Sequence, residues 1–203
     1  MSAQPHPLHT VHTVQGADVP AQPWRNGGGI TRELLAWPAV AAADTWQLRI
    51  SVAHIERSGP FSAYPGVERW FAVVQGEGVV LRFAQRRALL SAGSEPLRFE
   101  GAAAPGCDLL DGATQDLNLM VRSSAGSGGM FLVQADAEWD SAAPWRAVYT
   151  ATLATLQIEG RDAALLPAGT LAWCEQARGQ RWRLLGGAGT PRAWWLQFKP
   201  RTS

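Results

Sequence analysis

The chain has 203 residues, 46% of them hydrophobic and 17% charged, a balance that suits a globular protein with a sizeable core and excludes a disordered chain. Eighteen basic against seventeen acidic side chains leave a formal charge of +1, the arginines are scattered and Lys199 is the only lysine, so no nucleic acid is expected as a partner. No run approaches the ~18 apolar residues of a membrane span, and the opening MSAQPHPLHTVHTV lacks the regions of a signal peptide; the expectation is a cytoplasmic protein with no membrane partner.

Alternation with period two dominates from the N-terminus onward. Strands are expected at 10–14, 29–36, 46–53, 69–74, 78–83, 117–122, 131–134, 152–158, 170–174, 181–185 and 194–198. Turn signals separate them: Asn26-Gly27-Gly28-Gly29, Ser58-Gly59-Pro60, Tyr64-Pro65-Gly66, Gln75-Gly76-Glu77-Gly78 and Gly186-Gly187-Ala188-Gly189. Strands this short, punctuated this often, point to a sandwich, jelly roll or barrel. A helical turn or two at 135–139 or 175–178 is the most helix the chain offers. The run Ser123-Ser124-Ala125-Gly126-Ser127-Gly128-Gly129 reads as a loop or hairpin tip between two β units, with a flexible flap as the functional alternative. A loop at 137–144 divides a larger N-terminal region (about 1–135) from a smaller C-terminal one (145–203) within one unit of 1–203. Leu89-Leu90-Ser91-Ala92-Gly93 and Leu165-Leu166-Pro167-Ala168-Gly169 echo one another, as a duplicated β unit would.

The reactive side chains are sparse. Of four histidines, His6, His9 and His12 crowd the N-terminus and His54 stands alone, with no His-x-His pair. A transition metal wants several converging imidazoles or thiolates, so no metal and no cofactor are expected. Cys107 and Cys174 have neither metal nor redox spacing and read as buried free thiols. No nucleophile–base set can be assembled. The acid–base candidates are Glu33, Glu68 and Asp116, and each has a plain reading: cross-strand partner of an arginine, turn carboxylate, and cap before a strand. Ten tryptophans supply large rings for walls or interfaces.

On the expected strand 46–53, Arg49 shares a face with Gln47, Ser51 and Ala53, and Trp46, Leu48, Ile50 and Val52 share the other. Either the apolar face makes the core and Arg49 meets solvent, or the Arg49 face lines a lumen while the apolar face packs on another sheet. A buried guanidinium is costly unless an anion answers it, and its fork suits a carboxylate. Asn118, Met120 and Arg122 likewise share one face of 117–122, a mixed wall of amide and thioether. Phe61 and Tyr64, beside Pro60 and Pro65, make an aromatic rim or a buried corner plug.

Pro23-Trp24-Arg25-Asn26-Gly27-Gly28-Gly29-Ile30-Thr31-Arg32-Glu33-Leu34 is the most unusual stretch. Three successive glycines are costly to order, and the segment reads either as a wide turn with Asn26 left-handed or as a pocket wall. It lacks the ending of a phosphate loop. This stretch, with WQLRISVAHI (46–55), SGPFSAYPGVER (58–69) and DLNLMVR (116–122), resembles the HutD/Ves family, in the same order along the chain. The resemblance implies an all-β bicupin: two cupin-type, jelly-roll barrels packed together. The family is associated with histidine-utilisation operons and stress-linked genes. A regulatory or ligand-sensing role, with a small carboxylate from histidine breakdown as ligand, follows as an expectation.

The resemblance turns the Arg49 face toward the lumen, and the ligand-binding set expected there is Asn26, Thr31, Glu33, Arg49, Ser51, Phe61, Arg69, Asn118 and Met120. Leu48, Ser58, Leu117 and Ala102-Ala103 depart from the family pattern. Three functions remain: a protein that binds a small anionic, carboxylate-bearing metabolite without chemistry; a metal-free isomerase or hydrolase with Glu33 as general base; and a Trp-rich interaction module using Trp139, Trp145 and Trp194-Trp195, although such faces more often serve packing between the two barrels or a homodimer. Enzymatic activity is the less favoured outcome.

Overall fold

Two three-residue 3-10 turns aside, every regular element among the described residues is a β-strand. The structure is a computed structural model describing residues 10–39, 45–187 and 191–201. His6, His9 and part of the Gly186–Gly189 turn lie outside the described residues.

The strands form four sheets, all of whose ladders are antiparallel. The first, six-stranded, runs in the order Gln22–Pro23, Gly29–Trp37, Leu48–Ile55, Thr114–Arg122, Val67–Gln75, Leu97–Glu100. It faces a four-stranded sheet of Gly59–Pro60, Gly106–Leu109, Val79–Arg82 and Arg87–Leu90. The C-terminal pair repeats this plan. A five-stranded sheet (His12–Gln15, Thr170–Cys174, Trp145–Thr150, Ala193–Pro200, Gly126–Leu132) faces a four-stranded one (Glu138–Trp139, Trp182–Gly186, Ala154–Ile158, Ala164–Leu166). Two packed cupin-type units result. The chain binds them by exchange: His12–Gln15 and Gly126–Leu132 both pair into the C-terminal five-stranded sheet.

The alternation explains the layering. Leu48, Ile50, Val52, Trp70, Ala72, Val74, Leu117, Leu119 and Val121 leave the six-stranded sheet on one side. They meet Trp145, Ala147, Tyr149, Leu171, Trp194, Leu196 and Phe198 of the five-stranded sheet in one buried cluster. Side chains of this kind stabilise by roughly 1.5–3 kcal/mol each when fully buried, so the back-to-back contact is the main joint of the molecule. The residues between them in sequence point into the N-terminal unit. A register shift between Glu33 and Leu35 lets the chain insert one residue. Leu34 and Leu35 therefore both reach the joint, while Thr31 and Glu33 keep the interior side.

Several expectations change. Strand Leu48–Ile55 starts two residues late, and Trp46 packs with Met120 and Val67 rather than beside Leu48. Residues 135–139 and 175–178 form no helix, and Glu138–Trp139 is a short strand. The Gly-rich run is neither loop nor flap beyond its tip, because Gly126–Leu132 pairs residue by residue with Ala193–Pro200. Its glycines allow close approach: a Cβ at Gly126 would stand 2.2 Å from the Lys199 carbonyl, and one at Gly128 would strike Val121 and Trp70. Asp116 lies inside a strand, fully buried, rather than capping it. Glu68 also lies in a strand, paired to Arg98. Strands at Arg87–Leu90, Leu97–Glu100, Gly106–Leu109 and Trp145–Thr150 carry too little alternation, or too few residues, to stand out in the sequence.

Six of the ten tryptophans are buried and the other four half-buried. Trp145 and Trp194 lie in the joint. Trp139 stacks on Trp195 with centroids 4.8 Å apart, and Trp182 sits edge-on to both, filling the C-terminal unit. Of the tryptophans suggested for an interaction module, Trp145 and Trp194-Trp195 are only 0–4% exposed and so offer no ring to a partner, whereas Trp139 is half-buried. Cys107 and Cys174 are buried free thiols.

Candidate functional site

Antiparallel register sets polar side chains in rows across the inner face of the six-stranded sheet. Met120 stands opposite Arg49 on one neighbour and Arg69 on the other, and Asn118 stands opposite Ser51 and Phe71. Thr31 enters from the next strand opposite Ala53. The Trp24–Asn26 turn and the segment carrying Pro60, Phe61 and Tyr64 close over these rows. The result is a cavity of about 510 Å³ with a polar floor and an aromatic wall.

The turn is built to hold its shape. Gly27 takes the left-handed conformation at φ 64°, not Asn26 as expected from sequence. Asn26 instead accepts a hydrogen bond through Oδ1 from the Gly28 amide at 3.0 Å. Gly29 passes so close to the neighbouring strand that a Cβ would lie 2.2 Å from the His54 carbonyl. Trp24 Nε1 donates to Thr31 Oγ1 at 2.7 Å, tying the turn to the cavity wall.

Arg69 is the exceptional group. Its side chain is buried, with the residue 7% exposed, and among the described residues no carboxylate pairs with it. Nη2 donates to Asn118 Oδ1 at 2.8 Å, while Nε has no partner. Phe61, Phe99 and Tyr64 surround the guanidinium at 5.0, 5.2 and 5.7 Å from their ring centroids. The rings cover the cation's faces and favour it through their quadrupoles, but they leave its edge to be satisfied by an acceptor. Burial, with Arg49 nearby, pulls its pKa down to about 10 against a favourable contribution from Tyr64. It stays cationic at neutral pH. A carboxylate is the acceptor whose two oxygens match such an edge.

Arg49 is answered from within the chain. Its Nε lies 2.6 Å from Glu33 Oε2, with the carboxylate off the N–H axis, and the side chains are 17% and 34% exposed. Asn26, Thr31, Arg49, Ser51, Phe61, Arg69, Asn118 and Met120 all line the cavity. Glu33 does not, and its ion pair leaves it poorly placed as a base acting on a guest. Sequence reasoning missed Phe99, whose only signal was the alternation Leu97-Arg98-Phe99-Glu100, and it missed Trp24 and Phe71 as wall residues.

Deeper in the same unit, Asp116 is fully buried. Oδ2 accepts from Thr114 Oγ1 at 2.7 Å and Oδ1 has no partner. Burial pushes its pKa up to about 7, against the Thr114 hydrogen bond. Burial, with the Asp116 and Asp108 charges, pushes the Cys107 thiol up to about 12, so this cysteine is no nucleophile at neutral pH. Among the described residues no three His, Cys, Asp or Glu side chains converge to hold a metal. His54 lies near Glu56 with nearly half its side chain in solvent.

The chain is similar to known proteins along most of its length. The HutD family model matches residues 16–190. An uncharacterized 21.2 kDa protein of the hutC 3′ region of Pseudomonas putida is 35% identical over 113 residues, 56% of this chain and 59% of that protein. Protein Ves of Citrobacter koseri is 34% identical over 105 residues, 51% of this chain and 54% of its own. The matches thus span a little over half the length of these curated relatives. Among solved structures, a conserved protein of unknown function from Pseudomonas aeruginosa PAO1 superposes with a TM-score of 0.84 at 25% identity, covering 94% of this chain and 99% of its own. HutD from Pseudomonas fluorescens SBW25, in a formate condition, gives a TM-score of 0.81 at 24% identity over 95% of this chain and 100% of its own.

Proposed function

The chain belongs to the HutD family, and from that premise we propose that it is a metal-independent binding protein for a small carboxylate-bearing metabolite, held on Arg69 in the N-terminal cavity and read out as regulation of histidine utilisation. The observation that carries this reading is a buried arginine that lines a polar cavity, ringed by three aromatic side chains and with its Nε unpaired. An uncompensated buried cation costs several kcal/mol, and a bound anion offsets that cost. Asn118 fixes the guanidinium, while Ser51, Thr31 and Asn26 supply neutral polar contacts along the wall. Among the described residues lining the cavity there is no cysteine, histidine or carboxylate, which favours capture over turnover. The hutC-region name of the Pseudomonas putida relative supports the link to histidine breakdown.

Thermal unfolding of the wild-type chain with carboxylate intermediates of histidine breakdown tests the reading. A ligand at 100 times its Kd raises stability by about 2.7 kcal/mol, and a saturable rise in Tm is expected with at least one acid. Absence of any rise at millimolar concentration, with calorimetry silent as well, would refute it.

A further inference from the structure

The cavity holds two interior arginines and treats them differently. Glu33 stands on Gly29–Trp37 directly opposite Ser51, and so diagonal to Arg49. The register shift that follows it sends Leu34 and Leu35 to the joint between units and leaves the carboxylate as the last interior side chain before the bulge. Glu33 lies outside the cavity wall yet reaches Arg49 Nε at 2.6 Å. Arg69 is close enough to Arg49 to feel its charge and has no such partner. Arg25 also lines the mouth, but it is exposed, where solvent and salt weaken its pull on a buried guest.

We propose that Glu33 is the charge-selecting residue of this site: by neutralising Arg49 it leaves Arg69 as the single uncompensated buried cation among the described residues lining the cavity, so the site favours a ligand presenting one carboxylate there over an isosteric ligand presenting two. This rests on the reading of the cavity as an anion site. A second buried negative charge would find no free cation and would face the Glu33 carboxylate, and both effects disfavour it.

Succinamate and succinate make the probe, since they share size and shape and differ by one negative charge. Calorimetric titration of both into the wild-type chain should show succinamate binding at least as tightly as succinate. In Glu33→Gln, where Arg49 is freed, succinate should gain on succinamate by about tenfold, the worth of one further moderately screened ion pair. In the double variant Glu33→Gln with Arg49→Gln the wild-type ratio should return. An unchanged ratio in a Glu33→Gln protein that still melts cooperatively, or a wild-type preference for succinate, would overturn the inference while leaving anion binding itself in place. Silence of the wild-type chain toward both acids would instead sink the anion reading and this inference with it. Should Glu33→Gln fail to fold, Arg49→Gln carries the same test: its unpaired Glu33 should weaken succinate more than succinamate, and equal weakening overturns the assignment.

Discussion

Among the described residues Arg69 and Arg146 are the buried arginines, one in each unit, and they are satisfied in opposite ways. Arg146, in the C-terminal unit, is fully enclosed. Its Nε and Nη1 donate to the carbonyls of Ala143 and Gln180 at 3.3 and 2.5 Å, and Nη2 donates to the carbonyl of Ser141. Trp139 lies 5.5 Å from its guanidinium, and Trp139, Trp182 and Trp195 fill the space behind it. Arg69, in the N-terminal unit, has aromatic rings and one amide oxygen but keeps Nε unpaired beside a cavity. The same two-sheet frame thus holds one buried cation on backbone carbonyls and the other beside a polar cavity with its Nε unpaired.

The largest effect that would break this contrast lies in the C-terminal filling. Trp182→Ala should cost about 3–5 kcal/mol of stability in urea unfolding while carboxylate binding persists in the folded fraction; loss below 1 kcal/mol would show that the aromatic packing is not what closes that unit. Arg146→Met leaves three carbonyls without donors and should cost about 3 kcal/mol, again without altering affinity for a carboxylate.

Asp116 sharpens the comparison through pH. Its folded pKa is raised above the unfolded value, so its contribution to stability is full below about pH 4 and is lost as pH rises through about 7. Across that window the wild-type chain should lose roughly 1 kcal/mol per pH unit relative to Asp116→Asn, with the two curves parallel above it. Parallel curves throughout would mean that the carboxyl is solvated in solution. The smallest effect belongs to the cage: Phe99→Leu should weaken carboxylate binding only a few-fold, about 1 kcal/mol, with little change in unfolding.

Much of this was legible in the sequence, for a physical reason. A strand with one apolar face and one polar face must bury the first against a partner, and Leu48, Ile50 and Val52 did so against the second unit. That left Arg49, Ser51, Asn118 and Met120 on the interior side, where alternation alone could not distinguish lumen from solvent. What stayed hidden depends on non-local packing. Gly126–Gly129 carries no side chain by which to announce a strand, and its conformation is set by Lys199, Val121 and Trp70. Alternation likewise does not choose between Arg49 and Arg69, and both line the cavity. Both sit on alternating strands, but only spatial neighbours show that Glu33 pairs with Arg49 and that no carboxylate among the described residues pairs with Arg69.

The most direct measurement follows the Arg69 Nε–H resonance by nitrogen-15 NMR during titration with succinamate, with Arg69→Met used to assign it. A saturable downfield shift of that proton is expected, with the midpoint found by calorimetry, and no heat of binding in Arg69→Met. Heat released equally by both proteins, with the Nε–H resonance unmoved in the wild type, would contradict it.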